Sequence, residues 1–154
     1  MDEDIYRDTY RNVITTKCVF EKAINSRQVQ CGQANKVRLA DREAVSCRSK
    51  DSCTTCTQLL EILRNKAVFS LKLLDHTGPL PHAKEIKVQM GCVIGLAINK
   101  YGEALNNYKS EKIDQLIQAG LIKYNTLESF PYEELMRSIV NFEGRSKRNS
   151  RKKE

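Results

Sequence analysis

The sequence predicts a mainly α protein with a minor β component, folded as a single small domain of about five to six helices. Three observations lead to this fold class. Apolar residues recur every three or four positions through most of the chain, as on one face of a helix. Residues 28–47 lose that period, which predicts the β component. The length of 154 residues and the hydrophobic content of 40% suffice for one core.

Residues 1–27 are predicted to be helical. Asp2, Glu3 and Asp4 suit the start of a helix, because its macrodipole favours negative charge there. A second turn signal at 15–16 precedes Phe20 and Ile24, which are four residues apart and would share a helix face.

Residues 28–47 are predicted to be extended. The pairs Val29 and Cys31, and Val37 and Leu39, each lie two residues apart, and the turn-forming residues 32–35 separate them. This pattern predicts two short strands joined by a tight loop. The stretch ADREAV at 40–45 fits one helical turn equally well.

The next helix is predicted to begin at Thr55 and to run to about Leu74. Thr55 stands three residues before Gln58, the spacing of a capping box, so Cys56 would be the first helical residue. The apolar face would hold Cys56, Leu60, Leu63, Ala67, Leu71 and Leu74, widened by Leu59, Ile62 and Phe69.

A loop with two prolines, DHTGPLPH at 75–82, follows. Alternation in IKVQM at 86–90 predicts a strand, although Pro81 could instead start a helix there. A helix from Gly91 onwards would bury Ile94, Ile98, Tyr101 and Leu105.

Two more helices are predicted towards the C-terminus. The first would be capped by Ser110 and end at Gly120, with Ile113, Leu116 and Ile117 buried. The second would begin near 129–131 and end at Gly144, with Leu135, Ile139 and Phe142 buried.

The predicted globular domain spans residues 1–143, and residues 144–154 are predicted to be a disordered basic tail. The tail GRSKRNSRKKE holds six basic residues, so it supplies most of the net charge of +7. It could contact phosphate backbones weakly, or serve only to keep the chain soluble. No aromatic residue lies among the cations, so base stacking is not indicated.

The chain is expected to be cytoplasmic and to have no membrane partner. Its acidic N-terminus lacks the basic and apolar regions of a secretory signal. No apolar segment approaches the roughly 18 residues of a membrane helix. Six cysteines are then expected to be reduced thiols.

The candidate site is a cysteine cluster between residues 31 and 56. Four thiolates can close a tetrahedral zinc site or hold an iron–sulfur cluster. The spacing C-x15-C-x5-C-x2-C has only one close pair, which favours an iron–sulfur cluster, used in electron transfer or sensing, over zinc. The predicted metal ligands are Cys31, Cys47, Cys53 and Cys56.

Other residues compete for this role. Cys92 could replace Cys53, although it also fits a core position at the start of a helix. Cys18 is predicted to be a plain core residue. His76 and His82 could bind zinc but are more typical of solvated loop histidines. The cysteines could also be small buried hydrophobic residues without any metal.

Two alternative functions remain open. The first is a structural zinc site in a nucleic-acid- or protein-binding module. The second is a thiol–disulfide oxidoreductase built on the C-x-x-C at 53–56. The sequence contains no other catalytic arrangement, which favours a binding protein with a protein partner over an enzyme.

Overall fold

A computed structural model describes residues 3–14, 16–26, 29–39, 42–72, 80–102 and 111–143. These residues form six α-helices, one short 3-10 helix and one two-stranded sheet. The elements in chain order are α1 (Glu3–Val13), α2 (Glu21–Asn25), β1 (Ala34–Leu39), β2 (Arg42–Cys47), α3 (Lys50–Ser70), α4 (His82–Tyr101), α5 (Ile113–Tyr124), the 3-10 helix (Leu127–Ser129) and α6 (Tyr132–Asn141). The predicted mainly α fold with a small β element is therefore confirmed.

Helix α4 is the centre of the fold and packs against α2, α3, α5 and α6. Every residue from Val88 to Val93 is buried, so the helix is covered almost all round. A helix covered on all sides shows no clear apolar period. The predicted strand at 86–90 is wrong for this reason, and Pro81, the alternative start signal, is the N-cap of α4.

Helices α4 and α6 approach each other closely at glycine positions. A Cβ atom added to Gly91 would lie 2.4 Å from the Cα atom of Ile139. Gly91 is therefore an interhelical contact in the middle of α4, not the start of a helix as predicted. Leu135 and Ile139 of α6 are buried as predicted.

Strands β1 and β2 form an antiparallel hairpin, in register from Ala34 opposite Cys47 to Leu39 opposite Arg42. The predicted turn at residues 32–35 is confirmed only at Gly32 and Gln33, and it leads into β1 instead of joining two strands. The helical alternative for 40–45 is wrong, because β2 begins at Arg42. A second, small apolar cluster of Ile14, Leu39 and Ala44 joins the hairpin to the end of α1.

Helix α3 begins earlier than predicted. The Ser49 side chain is the N-cap and accepts a hydrogen bond of 3.1 Å from the backbone N–H of Ser52. Thr55 lies inside the helix, so its predicted capping role is wrong. The predicted face is otherwise confirmed from Leu59 to Leu71, but Phe69 is 91% exposed rather than buried.

Helix α5 continues through Gly120, its predicted end, to Tyr124, and Asn125 caps it with a positive φ of 73°. Gly120 instead lets the ring of Phe130 approach the helix. No helix in the described part of the chain has the length and apolar character needed to cross a membrane. Leu74, His76, Leu105, Ser110 and the tail 144–154 lie outside the described residues.

Candidate metal centre

Five cysteines line one small cavity between the hairpin, α3 and the start of α5. The cavity has a volume of about 20 Å³, roughly the space of one water molecule. Its other walls are mostly uncharged, and Asp114 is the only charged side chain among the described residues that line it. The five cysteines are Cys18, Cys31, Cys47, Cys53 and Cys56. All four predicted ligands therefore face the same cavity, together with Cys18.

Cys18 and Cys47 are brought together by backbone pairing. The N–H of Cys18 donates to the carbonyl of Val45 over 3.0 Å, and the N–H of Cys47 donates to the carbonyl of Thr16 over 2.8 Å. Residues 16–18 thus run antiparallel to β2 like a short third strand. Cys18 is 8% exposed. The prediction that Cys18 lies in the core is confirmed. The sequence did not indicate that Cys18 also pairs with β2 and lines the cavity.

Cys31 is positioned by α5, which is distant in sequence. The N–H of Ile113 donates to the carbonyl of Gln30, and Asp114 accepts a hydrogen bond from the N–H of Gly32 over 2.9 Å. The backbone N–H of Asp114, in the first turn of α5, also donates towards the Cys31 sulfur, as does that of Gln33. The positive end of a helix dipole therefore faces this sulfur.

Cys53 and Cys56 lie one turn apart on α3 and have different surroundings. Cys56 packs against the main apolar core. Cys53 donates from its thiol to the carbonyl of Lys17 at 3.4 Å and also lines an open groove on the outer surface with Thr16 and Lys50. Cys56 is thus an inner wall of the cavity, and Cys53 separates the cavity from solvent.

Burial raises the pKa of four of the thiols that line the cavity. It raises the pKa of Cys18 to about 12, and it raises the pKa values of Cys31, Cys53 and Cys56. Repulsion between neighbouring thiolates adds to the effect. Backbone N–H groups that point at the sulfurs oppose it: that of Phe20 lowers the pKa of Cys18, and those of Gln33 and Asp114 lower the pKa of Cys31.

A thiol at the start of a helix has a lowered pKa, but burial raises the pKa values of Cys53 and Cys56. Because α3 begins at Lys50, both cysteines lie beyond the free N–H groups of its first turn. The Cys53 backbone N–H, for example, already donates to the carbonyl of Ser49. Their raised pKa values are the opposite of the lowered thiol pKa that an activated dithiol requires.

Cys92 and His82 do not line the cavity. Cys92 is fully buried in α4, where burial raises its pKa to about 12. It lies near Cys56, whose pKa its charge would also raise. His82 is exposed, and its Nδ1 atom lies 3.0 Å from the Nζ atom of Lys22.

Within the described ranges, no three histidine, cysteine or acidic side chains are arranged closely enough to hold a metal ion. The five cavity thiols are therefore gathered but not in a preformed coordination shell. Comparisons with known protein families, with curated proteins and with solved structures find no match to this chain.

Proposed function

We propose that this protein binds an iron–sulfur cluster through four of the five cysteine thiolates that line the cavity, and that it serves in electron transfer or sensing. The observation that carries the proposal is the convergence of these thiols from four separate segments of the chain on one cavity. Iron–sulfur clusters are held by cysteine thiolates, and a ligand that is distant in sequence, such as the last cysteine of plant-type ferredoxins, is compatible with this origin.

The backbone donors around the thiols support the same proposal. Three N–H groups, those of Phe20, Gln33 and Asp114, point at the sulfurs of Cys18 or Cys31. Such hydrogen bonds stabilise thiolates, and around a cluster they also set its reduction potential. Binding would draw the thiols together, release their protons and couple metal affinity to folding.

A structural zinc site is the second candidate, and the small size of the cavity favours it. A volume of about 20 Å³ suits a single ion better than a cluster, which would require the walls to move outward. The thiol–disulfide oxidoreductase has less support, because the pKa values of both Cys53 and Cys56 are raised rather than lowered.

The test is analysis of the full-length chain purified without oxygen. Iron with equimolar sulfide, together with a broad visible absorption that dithionite bleaches, is the result expected. About one zinc per chain without sulfide would favour the second candidate. The proposal would be overturned by a protein that is purified without metal and also fails to bind any afterwards. Such a protein would take up no zinc and no iron–sulfur cluster after incubation with zinc or with ferrous iron and sulfide, and its thermal stability would not increase.

A further inference from the structure

We infer that Cys18, and not Cys53, completes the ligand set with Cys31, Cys47 and Cys56. The inference rests on the proposed function and goes further, because it assigns the four ligands among five candidates. The spacing in the sequence favours Cys53, which forms the C-x-x-C with Cys56. The fold buries Cys18 and leaves Cys53 at the edge of the cavity.

The first argument is position in the cavity. Cys53 lies at the boundary: it lines both the cavity and the open groove outside it, and its thiol donates outward to the carbonyl of Lys17. Cys18 is buried and lines only the inner cavity. A centre in the cavity would be shielded from water if Cys18 were its ligand.

The second argument is how tightly each thiol is fixed. Backbone hydrogen bonds at Cys18 and at Thr16 hold this segment to β2, and the partner of Cys18, Val45, lies two residues from Cys47. Its sulfur also faces a backbone donor, the N–H of Phe20. Cys31 has the same kind of support from Gln33 and Asp114. The Cys53 sulfur instead has two side-chain neighbours, Thr57 of its own helix and Cys47 of β2.

The experiment compares Cys18→Ala, Cys53→Ala and Cys92→Ala in the full chain. Cys92→Ala is the matched control, because it removes a buried cysteine that does not line the cavity. Each protein is loaded without oxygen with ferrous iron and sulfide, and separately with zinc, and its bound metal is measured after challenge with a chelator. We expect at least a ten-fold faster metal loss from Cys18→Ala and wild-type retention in the other two.

A second measurement needs no variant, so it is unaffected if Cys18→Ala fails to fold. The metal-loaded wild-type protein is treated with a thiol-alkylating reagent and the labelled peptides are identified. We expect label on Cys53 and none on Cys18. Three results would overturn the inference and leave the proposed function standing. They are faster metal loss from Cys53→Ala than from Cys18→Ala, equal metal loss from both variants, and label on Cys18 in the metal-loaded protein. A wild-type protein that binds no metal would overturn both.

Discussion

Arg64 of α3 and Glu85 of α4 form a buried ion pair with two hydrogen bonds. The Nε atom of Arg64 lies 3.0 Å from Oε1 of Glu85, and its Nη2 atom lies 2.7 Å from Oε2. The carboxylate also accepts hydrogen bonds from the Gln89 side chain and the Leu80 backbone. Since the Glu85 side chain is 1% exposed, all four groups depend on one another for their hydrogen bonds.

Glu85→Gln should reduce the free energy of unfolding by about 3–5 kcal/mol, because it leaves the buried Arg64 charge without its partner. Urea denaturation followed by circular dichroism measures this loss. Glu61→Gln, an exposed position on α3, is the control and should change stability by less than about 0.5 kcal/mol. A loss in Glu85→Gln no larger than in the control would show that the ion pair is not a net stabiliser.

The same pair predicts a loss of stability in acid. Burial alone would raise the pKa of Glu85, but the hydrogen bonds from Arg64, Gln89 and Leu80 and the charge of Arg64 outweigh it and lower the pKa below 4.5. Its contribution is therefore complete above pH 4.5 and is lost as the pH falls towards the lower folded-state value. The stability gap between wild type and Glu85→Gln should be constant near neutral pH and narrow in acid; a gap that widens in acid would contradict this sign.

Gly91→Ala should destabilise the protein, although alanine is the better helix former by about 1 kcal/mol. Its Cβ would meet backbone atoms of Ile139 at 2.4 Å and 2.7 Å, so α4 and α6 would have to separate. We expect the free energy of unfolding to fall by about 1–3 kcal/mol, measured by thermal or urea unfolding.

Gly95→Ala is the matched comparison on the same helix. Its Cβ would first meet the end of the Leu135 side chain at 2.8 Å, which can rotate away more easily than backbone can move. The loss in Gly95→Ala should be the smaller of the two. A reversed order would show that α6 does not pack on α4 as described.

Asp114→Ala should weaken metal retention, because it removes the acceptor that holds Gly32 beside Cys31. Loss of such a supporting hydrogen bond commonly costs about 10–100-fold in metal affinity. Asp114→Asn keeps an acceptor oxygen at this position, so its affinity should stay closer to that of wild type. Competition with a coloured chelator measures both. Equal retention in the alanine and wild-type proteins would show that Asp114 does not position Cys31.

Deletion of residues 145–154 should weaken binding to a short DNA duplex, because it removes six basic residues. The full chain's affinity should fall steeply with salt, and the truncated chain's affinity should depend on salt much less. Fluorescence anisotropy at several salt concentrations measures both dependences. Identical affinities and salt slopes for the two chains would show that the tail makes no nucleic-acid contact.

Sequence patterns were sufficient to predict the buried residues of helices that pack against the core with one face only. The apolar spacing of α3 and of α6 predicted Leu60, Leu63, Leu135 and Ile139 as buried, and all four are. Local start signals were less reliable, since both Ser49 and Thr55 fit a capping pattern and only the folded chain selects Ser49. The apolar period predicted only the second half of the central helix α4, from Gly91; the first half was predicted as a strand, because its neighbours cover most of its faces.

The candidate site also had a part that the sequence predicted and a part that it did not. The cysteine cluster at 31–56 could be found by spacing, and all four of its cysteines face one cavity. Cys18 could not be assigned to the cluster from the sequence, because its position depends on pairing between residues 16–18 and β2, nearly 30 residues away. One weak signal existed: Thr16 and Cys18 stand two apart between two helical patterns, as in a short extended segment.

The contact between Gly32 and Asp114 joins residues that are 82 positions apart. A ribosome adds about 5–20 residues per second, so roughly 4–16 seconds separate the synthesis of these two residues. The cysteines at 18–56 all leave the ribosome before Asp114 has been made. During that interval the Cys31 segment lacks the helix that later fixes it, and its thiol remains open to oxidants and to any metal donor. Assembly of the proposed metal centre would therefore be a late event in the maturation of this chain.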